Sequence, residues 1–177
     1  AACGGGGGAG PSQPIADPVH PVGESFAAFQ SAVVALGQQD LTGGSYNRGG
    51  GPTKHTLGSP RGLALTPTGG LLVADSGITP ILFFDSIPTA SDAPAQAVLG
   101  QPGFETNTPA LAQDGLNLPF GIGVGAGKMV VVDTLSHRVL IYDDNGAVGT
   151  VLPSVVIGQP NFESMVPGCG AGFFVPF

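Results

Sequence analysis

Residues 57–100 read LGSPRGLALTPTGGLLVADSGITPILFFDSIPTASDAPAQAVLG, and residues 116–158 read LNLPFGIGVGAGKMVVVDTLSHRVLIYDDNGAVGTVLPSVVIG. The two stretches share recurring positions, called landmarks below, at an offset of 58 or 59 residues. The paired landmarks are Pro60 with Pro119, Gly62 with Gly121, Asp75 with Asp133, Asp85 with Asp143, and Gly100-Gln101-Pro102 with Gly158-Gln159-Pro160. A fixed period of this size is typical of an array of one supersecondary unit.

Fragments of the same unit lie on either side of the two complete copies. Residues 36–40 (LGQQD) repeat the Gly-Gln landmark through Gly37 and Gln38, and residues 174–177 (FVPF) repeat the residues around Pro119. The predicted organisation is a Gly/Pro-rich N-terminal tether over residues 1–24, followed by a repeat region over residues 25–177. Its complete units cover about residues 57–100 and 116–158, with partial units at each end.

Each complete unit contains four short apolar runs bounded by Gly, Pro, Asp or Ser. Runs of this kind, rich in β-branched and aromatic residues, predict β-strands. They are nearly continuous rather than alternating, so we expect both faces of each sheet to be covered. The predicted strands are residues 62–65, 71–74, 81–84 and 97–99 in the first unit, and 121–124, 129–132, 139–142 and 155–157 in the second. The sequence therefore predicts an all-β fold.

The segment before the first unit, residues 26–36 (FAAFQSAVVAL), fits two structures. A short amphipathic helix would place Phe26, Phe29 and Val33 on one face. The register of the repeat instead makes residues 32–36 the outermost strand of a preceding unit, and we predict this strand.

The complete units resemble the NHL repeat, a four-stranded blade of a β-propeller. The resemblance is carried by Pro-x-Gly-apolar-x-apolar, a Gly-containing turn, then apolar-Val-x-Asp-[Ser/Thr], and in the second unit by Arg138-Val-Leu-Ile-Tyr-Asp. The spacer over residues 85–90 and the Val-Leu-Gly-Gln-Pro-x-Phe landmark resemble the long, secreted bacterial variety of that repeat. The similarity covers about residues 32–177, and it implies a partial β-propeller whose sheets are sandwiched between neighbouring blades.

The first unit departs from the NHL pattern at Pro80, which stands where Arg138 stands in the second unit. Because proline has no backbone N–H, the start of that strand is predicted to be frayed or bulged. A closed propeller needs about four to eight blades. The chain is therefore either a piece of a longer protein, which we favour, or one of several copies that close a ring, or a segment covered by neighbouring proteins.

Structural roles are predicted for the Gly-Gln landmarks, which are Gly37, Gln38, Gly100, Gln101, Gly158 and Gln159. The glycine permits a tight turn out of the last strand. The glutamine side chain can bond backbone groups of the crossing to the next unit, and the Phe of Gly-Gln-Pro-x-Phe is expected to pack between units.

Asp75 and Asp133 end the second strand of their units. A carboxylate at this position can accept backbone N–H groups across the turn to the third strand. Asp133 could also pair with Arg138. Two carboxylates at equivalent positions could instead bind a cation at a shared mouth, but we favour the structural role and predict no metal site.

The N-terminal tether begins Ala-Ala-Cys-Gly, which resembles the bacterial lipoprotein box. This resemblance implies lipid attachment at Cys3, followed by a flexible Gly-rich spacer. The alternatives are an unmodified start or a Cys3–Cys169 disulfide in an oxidising compartment. The expected location is extracytoplasmic: the outer membrane or cell surface if Cys3 is lipidated, and otherwise secreted or periplasmic.

The balance of charge limits the partners that we expect. Five basic residues stand against twelve acidic ones, for a net charge of −7. Nucleic acids and anionic lipid surfaces require clustered Lys and Arg, so neither is expected as a partner. Contact with a membrane is expected only through a lipid on Cys3. We expect protein partners, or other copies of the chain, to cover the open blade faces.

No catalytic residue and no cofactor is predicted. The three histidines, His20, His55 and His137, do not recur between units, and Cys3 lies 166 positions from Cys169. The Gly-rich loop at residues 37–56 lacks the spacing of a phosphate-binding loop. The predicted function is an extracytoplasmic binding or scaffolding module within a larger surface or envelope assembly. The alternative is a metal-dependent propeller lyase or hydrolase whose site lies on blades outside this sequence.

Overall fold

The computed structural model describes residues 31–77, 80–143 and 151–166. In this part of the chain the prediction of an all-β fold is confirmed. Eight strands form two four-stranded antiparallel sheets, each with its strands in sequence order. The first sheet contains β1 (Pro60–Leu65), β2 (Leu71–Asp75), β3 (Ile81–Phe84) and β4 (Ala97–Leu99). The second contains β5 (Pro119–Gly125), β6 (Lys128–Asp133), β7 (Arg138–Asp143) and β8 (Pro153–Ile157).

All eight predicted strands are confirmed, and most extend one or two residues beyond the apolar run that predicted them. The two sheets also share an irregularity of register. Pro60 pairs with Asp75 while Gly62 pairs with Ala74, so one residue, Arg61, is extra on β1. The same bulge recurs on β5, where Phe120 is the extra residue. A bulge at this point accommodates a proline that cannot donate to the ladder, and its recurrence shows that the two units are structurally equivalent.

The main core lies between the two sheets. One face of the first sheet contributes Leu72, Ala74, Ile81 and Leu99, and one face of the second contributes Met129, Val131, Leu140 and Tyr142. The strands β1 and β5 lie side by side at this interface. They approach most closely at Gly62, where a Cβ would lie 2.7 Å from the carbonyl oxygen of Phe120. Glycine is therefore required there because the neighbouring backbone occupies the place of a side chain.

A second core covers the other face of the first sheet. Its buried members are Leu57, Leu71, Val73, Leu82, Phe84 and Ala95, with Leu36 and Phe104 packed against them. Strand β2 is buried along its whole length, as its continuous apolar run predicts. The corresponding prediction is wrong for the second sheet within the described residues. Strand β6 alternates between buried and exposed positions, because no described element packs on its outer face.

The predicted strand at residues 32–36 is wrong. Residues 31–36 form neither strand nor helix, and the N–H of Ala35 donates to the hydroxyl of Ser91 at 3.0 Å. A strand needs a neighbour to complete its ladder, and no described strand lies beside this segment. The alternative helix falls partly on residues 26–30, outside the described residues.

Of the two effects predicted for Pro80, a bulge is not seen, because β2 pairs without a shift of register with β3. This strand begins at Ile81, whereas β7 begins at Arg138, the position equivalent to Pro80. The carbonyl oxygen of Pro80 still accepts the N–H of Asp75 at 3.0 Å. Strand β3 therefore starts one residue later than its counterpart because proline supplies no donor.

Several predictions lie outside the described residues: the tether at residues 1–24 with Cys3, the partner cysteine Cys169, and the fragment at residues 174–177. Within the described residues, no helix is both long and apolar enough to cross a membrane.

Candidate functional site

The landmark glycines share one backbone conformation, and two of them, Gly100 and Gly158, directly follow the last strand of a unit. Gly37, Gly100 and Gly158 have φ angles of 78°, 88° and 91°, in the left-handed region that favours glycine. The first two also face equivalent leucines. A Cβ on Gly37 would lie 2.6 Å from Leu57, and a Cβ on Gly100 would lie 2.5 Å from Leu116. Both the turn and the packing of the leucine beneath it therefore depend on glycine.

The landmark glutamines fasten the loops that follow these turns. In each case the side-chain Nε2 donates to the backbone carbonyl oxygen seven residues further on. Gln38 donates to Ser45 at 2.9 Å, Gln101 to Thr108 at 2.8 Å, and Gln159 to Val166 at 3.0 Å. The sequence indicated a hydrogen bond from the glutamine to the backbone, but not that the acceptor always lies seven residues after the glutamine. Three loops of unlike sequence thus start with the same geometry.

Replacing Gln101 with alanine is expected to lower the free energy of unfolding by about 1 kcal/mol, the usual net value of one hydrogen bond. The local effect should be larger, because the Thr108 carbonyl loses the donor that fastens the loop. Hydrogen exchange followed by mass spectrometry should show faster exchange in residues 102–115. The matched control is Gln39→Ala, since Gln39 is exposed and its loss should change neither quantity. Unchanged exchange in the Gln101 variant would contradict a fastening role.

Asp75 and Asp133 are fully buried at the ends of β2 and β6. Asp75 accepts the N–H of Gly77 at 3.0 Å, across the turn as anticipated. It also accepts the N–H groups of Gly58 at 2.7 Å and Ser59 at 2.6 Å. These bonds to the segment that leads into β1 were not anticipated. Asp75 therefore joins the start of the first strand to the end of the second.

Asp133 makes the equivalent connection in the second sheet, where its Oδ1 accepts the N–H of Asn117 at 2.6 Å. Its Oδ2 accepts a hydrogen bond from Nε of Arg138 at 2.7 Å, and both side chains are completely buried. Because each oxygen of this carboxylate already has a donor, its contacts are those of a structural group. Among the described residues, no cluster of three or more His, Cys, Asp or Glu side chains could hold a metal ion.

Arg138 extends this buried network into two loops. Its Nη2 donates to the carbonyl oxygens of Ala112 at 3.1 Å and Gly115 at 2.9 Å. Its Nη1 donates to the carbonyl oxygen of Phe162. One guanidinium therefore links the loop before β5 to the loop after β8, a connection that the sequence did not indicate.

The first sheet has no arginine at this position, and its loops are held by a more exposed cluster. Arg48 Nη2 donates to Asp92 Oδ1 at 2.5 Å, and His55 Nδ1 lies 3.1 Å from the same oxygen. The hydrogen bond from Arg48 holds the pKa of Asp92 below its ordinary value. His55, which the sequence showed as an isolated histidine in a loop, therefore helps to link residues 37–59 to residues 85–96.

The two bulged residues form a pair on the surface. The Arg61 guanidinium lies 5.6 Å from the ring centroid of Phe120, a cation–π contact. Both side chains are exposed, and they lie on the adjacent first strands of the two sheets. The sequence analysis did not identify this pair, because the residue type at the bulge differs between the two units.

Comparison with known proteins provides no relative: no family model matches the chain, and no curated protein matches it.

Proposed function

We propose that this chain is a segment of an NHL-like β-propeller that acts as a binding or scaffolding module outside the cytoplasm, within a larger surface or envelope assembly. The observation that carries the proposal is the face-to-face packing of two equivalent four-stranded sheets, with β1 beside β5. In a propeller, such sheets are arranged radially around a central channel. The recurring bulge, the recurring glycine turns and the recurring glutamine bonds all support equivalent blades.

The contacts of the recurring polar side chains favour binding over catalysis. The carboxylates that recur, Asp75 and Asp133, are buried and bonded to backbone N–H groups or to Arg138. The loops that follow the landmark glycines are long, and in each of them the landmark glutamine bonds the backbone at the same point. Long loops presented on a rigid scaffold are the usual place for partner binding.

Measuring the metal content distinguishes a binding module from the alternative, a metal-dependent propeller enzyme. The full-length protein is dialysed against a chelator, then against metal-free buffer, and its zinc, manganese and calcium are measured by mass spectrometry. We expect none of them at the level of one ion per chain. A stoichiometric ion that survives chelation, and whose removal abolishes a hydrolase or lyase activity, would favour the enzyme.

The proposed attachment and location depend on Cys3 and are tested by the mass of the N-terminal peptide. In protein recovered from the envelope of its own cells, we expect diacylglyceryl modification of Cys3. Cys3→Ala should move the protein from the membrane fraction to the soluble fraction. Cys169→Ala is the matched control and should leave it membrane-bound. A free Cys3 thiol in the native protein would rule out the lipid tether.

A further inference from the structure

We infer that the cavity beside Gly100 in the second unit binds a guanidinium group, in the place that the side chain of Arg48 takes in the first unit. The inference goes beyond the proposed scaffolding role and needs only the equivalence of the two units. The cavity has a volume of about 310 Å³, and pockets for small ligands begin at about 300 Å³. It lies between the loop after β4 and the segment before β8, and its lining includes Leu99, Gly100, Ala110, Asp114, Val151 and Leu152.

Matching backbone contacts identify the equivalent place in the first unit. The N–H groups of Asn47 and Ala110 donate to the carbonyl oxygen of the leucine that faces the landmark glycine of their unit, at 3.2 and 3.5 Å. Ala110 therefore corresponds to Asn47 in the fold of the two loops. The residues that follow them, Leu111 and Arg48, stand at equivalent positions.

In the first unit this place holds a cation. The Arg48 guanidinium donates through Nε to the carbonyl oxygen of Gly37 at 3.3 Å and through Nη2 to Asp92 at 2.5 Å. The imidazole of His55 lies against the same carboxylate. Asp92 adjoins the position equivalent to Val151, which lines the cavity in the second unit. The first unit therefore supplies its own guanidinium to this place.

The second unit has a carboxylate at this place and no described cation. Leu111 replaces Arg48, and Asp114 replaces His55, since each of the latter two stands two residues before the equivalent leucine. Among the described residues, the exposed carboxylate of Asp114 makes no hydrogen bond and no ion pair. Arg138, whose donors bind the adjacent backbone, already has a buried carboxylate as its partner. The carboxylate in the lining of the cavity is therefore available to a ligand.

The lining of the cavity suits a guanidinium on an aliphatic stem. The carboxylate of Asp114 can accept two parallel N–H groups from one guanidinium. The carbonyl oxygen of Gly100, equivalent to the one that Arg48 binds, accepts one backbone N–H and retains a second lone pair. Leu99 and Val151 offer apolar surface to the stem. A guanidinium is also more weakly hydrated than an ammonium group, so it enters such a site more readily.

The test is a titration of the isotope-labelled whole chain, followed by the nuclear magnetic resonance signals of the backbone amides around the cavity. The probes are ethylguanidinium and the peptide acetyl-Gly-Arg-Gly-amide, which carry the same group as a free small molecule and as a protein side chain. We expect both to shift the signals of Gly100 and Gly115, with dissociation constants on the order of a millimolar. Tighter binding of the peptide would support an arginine of a protein partner as the ligand, and equal binding would support the guanidinium group alone.

Four further measurements test the contacts. Asp114→Asn keeps the shape of the side chain but removes its charge, and it should weaken the binding of ethylguanidinium by about fivefold or more. Asp85→Asn is the matched control, because Asp85 is exposed and lies outside this cavity, and its loss changes the net charge equally. Leu111→Arg should supply the guanidinium from within the chain, as Arg48 does, and exclude the probe. For the unmodified chain, n-propylammonium should bind about fivefold more weakly than ethylguanidinium, because it lacks the planar fork of donors.

Three outcomes would overturn the inference: no shift of the cavity signals with either probe, equal affinities of the Asp114→Asn and Asp85→Asn variants, or equal affinities for n-propylammonium and ethylguanidinium. Circular dichroism of each variant must match the unmodified chain, so that loss of binding is not loss of folding. A negative result would reject this site but not the scaffolding module, which is decided by the metal content and the modification of Cys3.

Discussion

Replacing Arg138 with methionine is expected to lower the free energy of unfolding by about 3–5 kcal/mol, the usual cost of removing one partner of a buried ion pair. Methionine retains much of the aliphatic length of the arginine but leaves the carboxylate of Asp133 without its charged donor in a site closed to water. It also removes the donors to the carbonyl oxygens of Ala112, Gly115 and Phe162. The measurement is chemical denaturation followed by circular dichroism.

The control for this substitution is Lys128→Met, which removes the partner of Asp143 from an ion pair at the surface. Exposed pairs contribute little to stability, so this change should be far smaller. The double variant with Asp133→Asn tests the mechanism, since it removes the orphaned charge and should recover part of the loss. A single Arg138→Met variant as stable as Lys128→Met would show that the buried network does not hold the loops.

Replacing Gly100 with alanine is expected to cost about 2–5 kcal/mol. The left-handed conformation costs a residue with a Cβ about 1–2 kcal/mol. The overlap with Leu116, where the new Cβ would lie 2.5 Å from a methyl carbon, adds about 1–3 kcal/mol. Leu116 is completely buried in the core between the sheets, so it has little room to move. Thermal and chemical unfolding of the purified variant measure the loss.

Substitutions at two other glycines distinguish the conformational cost from the cost of the contact with Leu116. Gly127 has a φ of 70° with open space around the position of a Cβ, so Gly127→Ala should cost only the conformational part, about 1–2 kcal/mol. At Gly103 the surroundings are also open and φ lies outside the left-handed region, so Gly103→Ala should be nearly neutral. Equal losses at Gly100 and Gly127 would mean that the contact with Leu116 contributes nothing.

The strands were predictable because their signal is local. Each apolar run is short and ends at a proline, glycine or aspartate, and the repeat gives every run a second example. The same holds for the glycine turns, since Gly37, Gly100 and Gly158 stand at the exit from a run. Local patterns of this kind do not report what packs on a sheet. Strands β2 and β6 have similar apolar runs, yet β2 is buried on both faces, whereas no described residue packs on the outer face of β6.

The errors and omissions concern contacts between distant residues. A strand at residues 32–36 required a neighbour, and the sequence of that segment does not show whether one is present. The bonds from Asp75 to Gly58 and Ser59 depend on where the chain enters β1. The contacts of Arg138 with Ala112 and Phe162 depend on how two loops fold back over β7. The sequence identified the residues of the buried network and the pairing of Asp133 with Arg138, but only the structure identifies the backbone groups that they bind.

The contact between β1 and β5, where Gly62 allows the two backbones to meet, sets the angle between the two sheets. In the proposed repeat architecture, each further unit would be added at the same angle. If that rotation divides a full circle, successive additions end in a ring. If it does not, they continue as a helical filament. The size of a closed ring would then follow from the geometry of this one contact.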